Sequence, residues 1–289
     1  MKMTRLTGSL GALVEGVELR DPSTDFDAVY RALLENEVVF FRDQFLTVDE
    51  HLELGRRLGT PSIFPVARLN GATEPTMTYI EDTPTSPNGA DDWHTDVTWI
   101  QTPPKAAILC MEVIPEFGGD TLWASATKAY ETLSPYMKKF LKGLTAVHDN
   151  EGFIENMVMK TGNPRHPLIS RLREEYPPVT HPLIRTHPET GRLALMYANP
   201  FIRRINELSR HESDAILAFL DDHVKDPSLH CRWAWQAGDV AIWDERSTLH
   251  RAAADHFPQY RKIRRLEIDG DVPFFTDTDT ASESRQLVS

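Results

Sequence analysis

Five β-prone runs, at 106–113, 193–197, 231–235, 240–243 and 261–268, lie along the chain with few helical segments among them. A parallel α/β sheet needs a crossover helix after nearly every strand, so this spacing argues against βαβ repetition. It predicts an antiparallel sandwich or barrel with helices outside. The last run adds a second constraint. On a strand Arg261, Ile263, Arg265 and Glu267 share one face, and Lys262, Arg264, Leu266 and Ile268 share the other. Whichever face turns inward therefore carries a cation into the barrel. An unpaired buried cation is costly, so it demands an anionic partner. A dicarboxylate cosubstrate would serve, since arginine grips a carboxylate through two parallel hydrogen bonds.

The remaining elements are short. Phe26, Val29, Tyr30, Leu33 and Leu34 recur at helical spacing and give way near Asn36 to the strand former Val38-Val39-Phe40-Phe41. Thr47-Val48-Asp49-Glu50 and Ser209-Arg210-His211-Glu212 are capping boxes that open helices, the first ending at Gly59. Ser134-Pro135 opens another helix, closed near Gly143. Residues 81–90, rich in Pro, Thr, Ser and Gly, and 150–180, with Gly, Pro and mixed charge, read as mobile loops, and the chain from about 274 as a loose tail. With no repeat and no long linker, the 289 residues are expected to form a single domain spanning 1–289.

Thirty-one Lys and Arg against 43 Asp and Glu leave a net charge of −12, which disfavours nucleic acid and anionic membrane surfaces as partners. Neither a signal-type apolar segment nor a membrane-length apolar run is evident, so the expected location is cytoplasmic. Cys110 and Cys231 form no CxxC pair and read as buried thiols.

The signatures GxGxxG after a strand, GxxxxGK[ST], GxSxG and HExxH are all missing from the sequence. The segment Trp93-His94-Thr95-Asp96-Val97-Thr98-Trp99 places an imidazole and a carboxylate two residues apart among β-formers. On a strand both would share a face and converge on one ion, with Thr95 and Val97 pointing away. A second imidazole must come from elsewhere, and His250, after the 240–243 run, is the candidate. Two histidines and one carboxylate form the facial triad of non-haem Fe(II) oxygenases, which leaves positions open for substrate and dioxygen. A cupin-like metal site also serves hydrolases, isomerases and non-catalytic ligand binders, and these residues alone leave those readings open.

Taken together, WHTDVT at 93–98, GGDTLW at 118–123, HPLIRTHP at 181–188, GDVAIWD at 238–244 and the His250…Arg261…Arg265 ending resemble the TauD/TfdA family of Fe(II)- and 2-oxoglutarate-dependent dioxygenases. The resemblance implies a double-stranded β-helix (a cupin-like jelly roll) and a homo-oligomer, dimer or tetramer. It implies iron ligands His94, Asp96 and His250, with Thr121 and Arg261 holding the distal carboxylate of 2-oxoglutarate. Arg265 matches the position that grips the substrate's anionic head. Phe64, Ala90, Val97, Ile154 and Phe201 match positions around the substrate. The expected reaction consumes dioxygen and yields succinate and carbon dioxide.

Where taurine enzymes carry His-Pro-Val-Tyr, this chain has Phe64-Pro65-Val66-Ala67, and their Asn is Ala90. That exchange makes the pocket more apolar, which disfavours taurine. It favours a sulfonate, alkyl sulfate, aryloxyalkanoate or other carboxylate with an apolar body. The family's usual Trp-Asp-Asn-Arg reads Trp243-Asp244-Glu245-Arg246.

Overall fold

The computed structural model describes residues 1–75, 77–85 and 92–277. Strands β1 (Lys2–Arg5) and β2 (Ala12–Glu15) form a hairpin, and helix α1 (Phe26–Asn36) leads into β3 (Val38–Phe41). Helices α2 (Val48–Leu58) and α3 (Pro65–Leu69) precede β4 (Thr78–Asp82), β5 (Ala106–Val113) and β6 (Thr121–Ser125). Next come α4 (Ala126–Thr132), α5 (Pro135–Leu141), β7 (Thr145–His148), α6 (Glu151–Thr161) and α7 (Pro167–Glu175). Strands β8 (Val179–Pro182), β9 (Ile184–Thr186), β10 (Leu193–Leu195) and β11 (Ile202–Ile205) follow, then helix α8 (Arg210–Val224). The chain returns through β12 (His230–Trp233), β13 (Val240–Asp244), β14 (Thr248–Ala252) and β15 (Arg261–Ile268).

A seven-stranded sheet runs β1-β2-β3-β13-β5-β15-β4, antiparallel except for the β2–β3 pair, and a three-stranded sheet runs β12-β6-β14. Period-two alternation builds the layers. Phe40, Leu109, Trp243 and Ile263 from the large sheet share one core with Trp123 and Trp233 from the small sheet. The alternate residues Val39, Phe41, Ile108 and Ile242 pack outward against Leu33 of α1 and Leu54 and Leu58 of α2. Both faces are thus buried, which is why β3 and the middle of β5 carry apolar side chains almost throughout. Helices cover about as much chain as strands and lie outside the sandwich, in keeping with helices around a β core. No helix among the described residues is long and apolar enough to cross a membrane.

The two capping boxes open α2 and α8 as the sequence indicates. The 150–180 stretch is a correction: it is largely α6 and α7, not a loop. Gly162 closes α6 in the left-handed region and Pro167 starts α7, so residues that suggested a loop are helix punctuation. Ile154, Ile169 and Leu172 supply the buried stripe. Residues 81 and 82 likewise belong to β4, and 86–90 lie outside the described residues. At the expected loose tail, Thr186 donates its N–H to the Phe274 carbonyl at 2.7 Å, so the tail's first residues are held against β9.

Candidate metal centre

The 93–99 segment is not a strand. His94 alone makes a β-bridge, with His250, and residues 96–99 turn. Val97 sits at φ +51°, in the left-handed region that a β-branched side chain rarely enters, so alternation cannot continue through it. Asp96 reaches the site because the chain turns there. The bridge supplies the second histidine: His94 N–H donates to the His250 carbonyl at 3.1 Å, and His250 N–H returns the bond at 2.8 Å.

One ligand atom each from His94, Asp96 and His250 lies within 4.8 Å of the others. His94 Nε2 is 3.7 Å from Asp96 Oδ1, and His250 Nε2 is 3.8 Å from Asp96 Oδ2. His94 Nδ1 lies 2.7 Å from the Asp92 carbonyl. A carbonyl only accepts, so Nδ1 donates there, which leaves Nε2 as the nitrogen turned toward the carboxylate. Burial, reinforced by His94, pushes the His250 imidazole down to about 3, so it is neutral near pH 7. Burial alone would raise Asp96, but the Arg265 guanidinium and the two imidazoles outweigh it and hold the carboxyl at about 2. Two imidazoles and one carboxylate, all buried, form a donor set that suits a divalent transition metal.

Three carboxyl groups crowd one guanidinium beside these ligands. Arg265 Nη1 donates to both oxygens of Asp96, at 2.9 and 2.7 Å, and Nη2 lies 3.1 Å from Glu267 Oε1. Glu245 Oε2 accepts the Asp96 backbone N–H at 3.0 Å. Burial raises Glu245 well above the usual carboxylate range, and the charge of Asp96 adds to it. Glu267 is raised to about 7, chiefly by burial against the opposing pull of Arg265. The Nε donor of Arg265 has no hydrogen-bond partner among the described residues.

Arg261 lies on the same inward face of β15 and is buried. Its Nε donates to the Gly119 carbonyl at 2.9 Å, its Nη2 to Thr121 Oγ1 at 3.4 Å, and its Nη1 lies 3.6 Å from Asp82 Oδ2. Asp82 therefore already offsets part of a charge that the sequence left without a protein partner. Gly119, at φ +70°, permits the approach, because a Cβ there would stand 3.1 Å from Arg261 Cδ and 2.9 Å from Pro115 Cγ.

Val97, Ile154 and Phe201 are buried in one apolar cluster with Trp99, and Phe64 packs against it. The cluster adjoins the ligands, with the Phe201 and His94 ring centroids 6.4 Å apart, while Arg265 Cζ is 6.0 Å from the Phe64 centroid. Ala90 lies outside the described residues. His148 and His181 face Thr98: His148 Nδ1 meets its hydroxyl at 2.9 Å and His181 Nε2 donates to its carbonyl at 2.8 Å. His187 anchors its own turn and donates to Asp244 at 3.0 Å.

Sequence reasoning assigned no role to Asp82, Glu245 or Glu267. Glu267 carried a usable signal, since it shares a strand face with Arg261 and Arg265. Glu245 was visible as a departure from a motif. Asp82 had no local signal, for only the β4–β15 register brings it opposite Arg261.

The family described as "Taurine catabolism dioxygenase TauD, TfdA family" matches residues 2–266. An alkylsulfatase of Acinetobacter baylyi is 35% identical over 284 residues, covering 94% of this chain and 86% of that protein. An alpha-ketoglutarate-dependent sulfate ester dioxygenase of Pseudomonas putida is 34% identical, covering 97% of this chain and 93% of its own length. The crystal structure of a taurine dioxygenase from Burkholderia xenovorans superposes with a TM-score of 0.78 at 34% identity, covering 96% of this chain and 93% of that one.

Proposed function

The chain belongs to the TauD/TfdA family, and on that footing we propose that it oxidises an alkyl sulfate or sulfonate with an apolar body at an Fe(II) centre held by His94, Asp96 and His250. It is a 2-oxoglutarate-dependent dioxygenase with a TauD-type jelly-roll fold, using 2-oxoglutarate, dioxygen and a metal. The observation that carries the site assignment is the meeting of the three ligand atoms within 4.8 Å, with the His94 tautomer set by Asp92. A bound Fe(II) would supply the redox chemistry that couples decarboxylation of 2-oxoglutarate to oxygen insertion, giving succinate and carbon dioxide.

The protein's own residues bind and orient. Arg261 of β15 and Thr121 of β6, within hydrogen-bond distance of each other, would hold the distal carboxylate of 2-oxoglutarate. Arg265 receives the substrate's sulfo group, for which its Nε, without a hydrogen-bond partner among the described residues, is a ready donor. Phe64, Val97, Ile154 and Phe201 pack the apolar body and keep water from the reacting carbon. With an alkyl sulfate, hydroxylation of the carbon bearing the ester oxygen leaves a hemiacetal sulfate. Its breakdown releases an aldehyde and inorganic sulfate. The relatives named for sulfate esters favour this substrate class over aryloxyalkanoates, although (S)-phenoxypropionate and 2,4-dichlorophenoxyacetate dioxygenases are also relatives, at 29% and 28% identity. A homo-oligomer is part of the same reading, and sedimentation measures it.

The test is a succinate-release screen with Fe(II) over alkyl sulfates, sulfonates, taurine and aryloxyalkanoates. Medium-chain alkyl sulfates should give the highest kcat/KM, with sulfate and aldehyde formed in step with succinate. Succinate tied only to taurine, or to no member of the panel, would overturn the substrate assignment. Anaerobic addition of Fe(II) and 2-oxoglutarate should also produce a weak visible charge-transfer band, which a hydrolase would not show.

A further inference from the structure

We propose that Glu245 is a positioning residue for the metal centre, holding Asp96 by its backbone N–H and His250 by its Nδ1–H. The proposal rests on the reading of His94, Asp96 and His250 as metal ligands and assigns a role to the residue that stands where the family usually has asparagine.

Glu245 lies between β13 and β14 and is 2% exposed. Its backbone N–H donates to the Lys105 carbonyl at 3.0 Å. Its Oε1 accepts the Trp243 indole N–H at 2.7 Å, and its Oε2 accepts the Asp96 N–H at 3.0 Å. Both oxygens are thereby aimed, one at the ligand turn and one at the root of β14. His250 lies on that strand, and its Nδ1 is buried with no hydrogen-bond partner among the described residues. Glu245 Oε1 is 4.0 Å from that nitrogen. With Nε2 turned toward Asp96, Nδ1 is the ring's remaining N–H, and a buried donor of this kind ordinarily has an acceptor. Closing the gap by about 1 Å makes the contact a hydrogen bond.

Ligating histidines generally give their second N–H to a carboxylate or carbonyl, which fixes the ring and strengthens the ligand. His94 does this with the Asp92 carbonyl. Glu245 provides the matching group for His250 and, through the Asp96 N–H, links the two ligands that come from distant parts of the chain. Asparagine is one methylene shorter, so it would reach both partners poorly from the same backbone position.

The test uses the full chain loaded with Co(II) alone, whose paramagnetism shifts ring N–H protons of ligating histidines away from the rest of the NMR spectrum. The wild-type protein should show two such protons, with the His250 proton exchanging slowly with solvent. In Glu245→Gln, Co(II) affinity should fall about 10- to 100-fold. The His250 proton should shift and exchange faster while the His94 proton stays in place, a pattern that general loosening of the fold would not give. Unchanged affinity with both protons unmoved would overturn the proposal. Glu245→Asn serves if the glutamine variant does not fold, and a His250 proton lost at once to solvent in the wild type overturns the proposal without any variant. Failure of the wild type to bind Co(II) would instead remove the metal-centre reading itself, and this proposal with it.

Discussion

Asp96 and Asp244 are both buried carboxylates beside an arginine, yet their surroundings differ in kind. Asp244 accepts from Arg246 at N (2.8 Å), Nε (2.9 Å) and Nη2 (2.6 Å), and from His187 Nε2 at 3.0 Å. Arg246 in turn donates to Glu189 at 2.7 Å, and no buried side-chain polar atom of Asp244, Arg246 or His187 lacks a partner. The Asp96 cluster sets the carboxyls of Asp96, Glu245 and Glu267 against Arg265, and leaves His250 Nδ1 and Arg265 Nε without hydrogen-bond partners among the described residues. The first arrangement is complete as protein. The second has a surplus of acceptors and spare donors, the pattern expected of a site that a cation and an anion complete.

That contrast is broken or sharpened first by truncation. Asp244→Ala leaves Arg246 buried without its main partner and should cost about 3–5 kcal/mol of stability, read from the urea midpoint. Asp96→Ala should reduce succinate formation and metal binding to background. Its cost to the metal-free fold should be smaller, because Arg265 keeps Glu267 at 3.1 Å. Equal destabilisation by the two variants would mean that the clusters do not differ as described.

Metal addition gives the next largest difference. Mn(II) at 100 times its dissociation constant should stabilise the wild-type protein by about 2.7 kcal/mol, by mass action on the folded state. Asp96→Ala should show none of this, whereas His187→Gln, which weakens only the other cluster, should retain it. Stabilisation of the Asp96→Ala variant by Mn(II) would place the metal elsewhere.

Acid–base linkage separates the clusters more finely. Glu267 has its folded-state value raised from 4.5 to about 7. Such a group favours folding fully below its unfolded value, and that contribution is lost as pH rises from about 4.5 through 7. Asp96 is lowered from 3.8 to about 2, so its contribution is present above 3.8 and is lost as pH falls through 2. Asp244 is lowered as well, burial notwithstanding, by Arg246 and His187, and behaves as Asp96 does. In metal-free protein Glu267 should therefore contribute a loss of stability between pH 5 and 7 with a slope approaching one proton, about 1.4 kcal/mol per pH unit. The raised Glu37 and Glu245 add to this loss, and the lowered His51, His148 and His250 oppose it. Glu267→Gln should flatten that slope in thermal melts and leave the acid limb below pH 4 unchanged. An unaltered slope would detach Glu267 from the effect.

The sequence exposed the two clusters unequally, for reasons of chain geometry. Alternation alone grouped Arg261, Arg265 and Glu267 on one face of β15 but did not say which of its two faces turns inward, because both carry cations and both are largely buried. The strands 106–113 and 261–268 have the ends that their β-branched and apolar runs indicate. The pair His94 and Asp96 was legible as a unit, but through strand periodicity that the structure replaces with a bridge and a turn at Val97. Helices α6 and α7 were hidden because glycine and proline mark helix ends as readily as loops. Long-range pairing was beyond reach: nothing near Asp82 announces Arg261, and nothing near His187 announces Asp244. Those contacts follow from strand register and layer packing, which become defined only when the whole sandwich closes.

The smallest expected effect lies at the surface and checks that burial is the variable that matters. Arg173 of α7 donates through Nε and Nη2 to the two carboxylate oxygens of Glu151 in α6, each at 2.6 Å, a geometry at least as good as that of Arg246 with Asp244. The side chains, however, are 54% and 37% exposed. Water screens the attraction and solvates either partner left alone, so Arg173→Ala should change stability by less than about 1 kcal/mol. The helix pair should stay closed, because it is held by Ile154, Ile169 and Leu172 within the apolar cluster. A thermal melt together with hydrogen exchange across 151–175 distinguishes the cases. If Arg173→Ala cost as much as Asp244→Ala, then bond geometry rather than burial would govern, and the contrast between the two buried clusters would lose its physical basis.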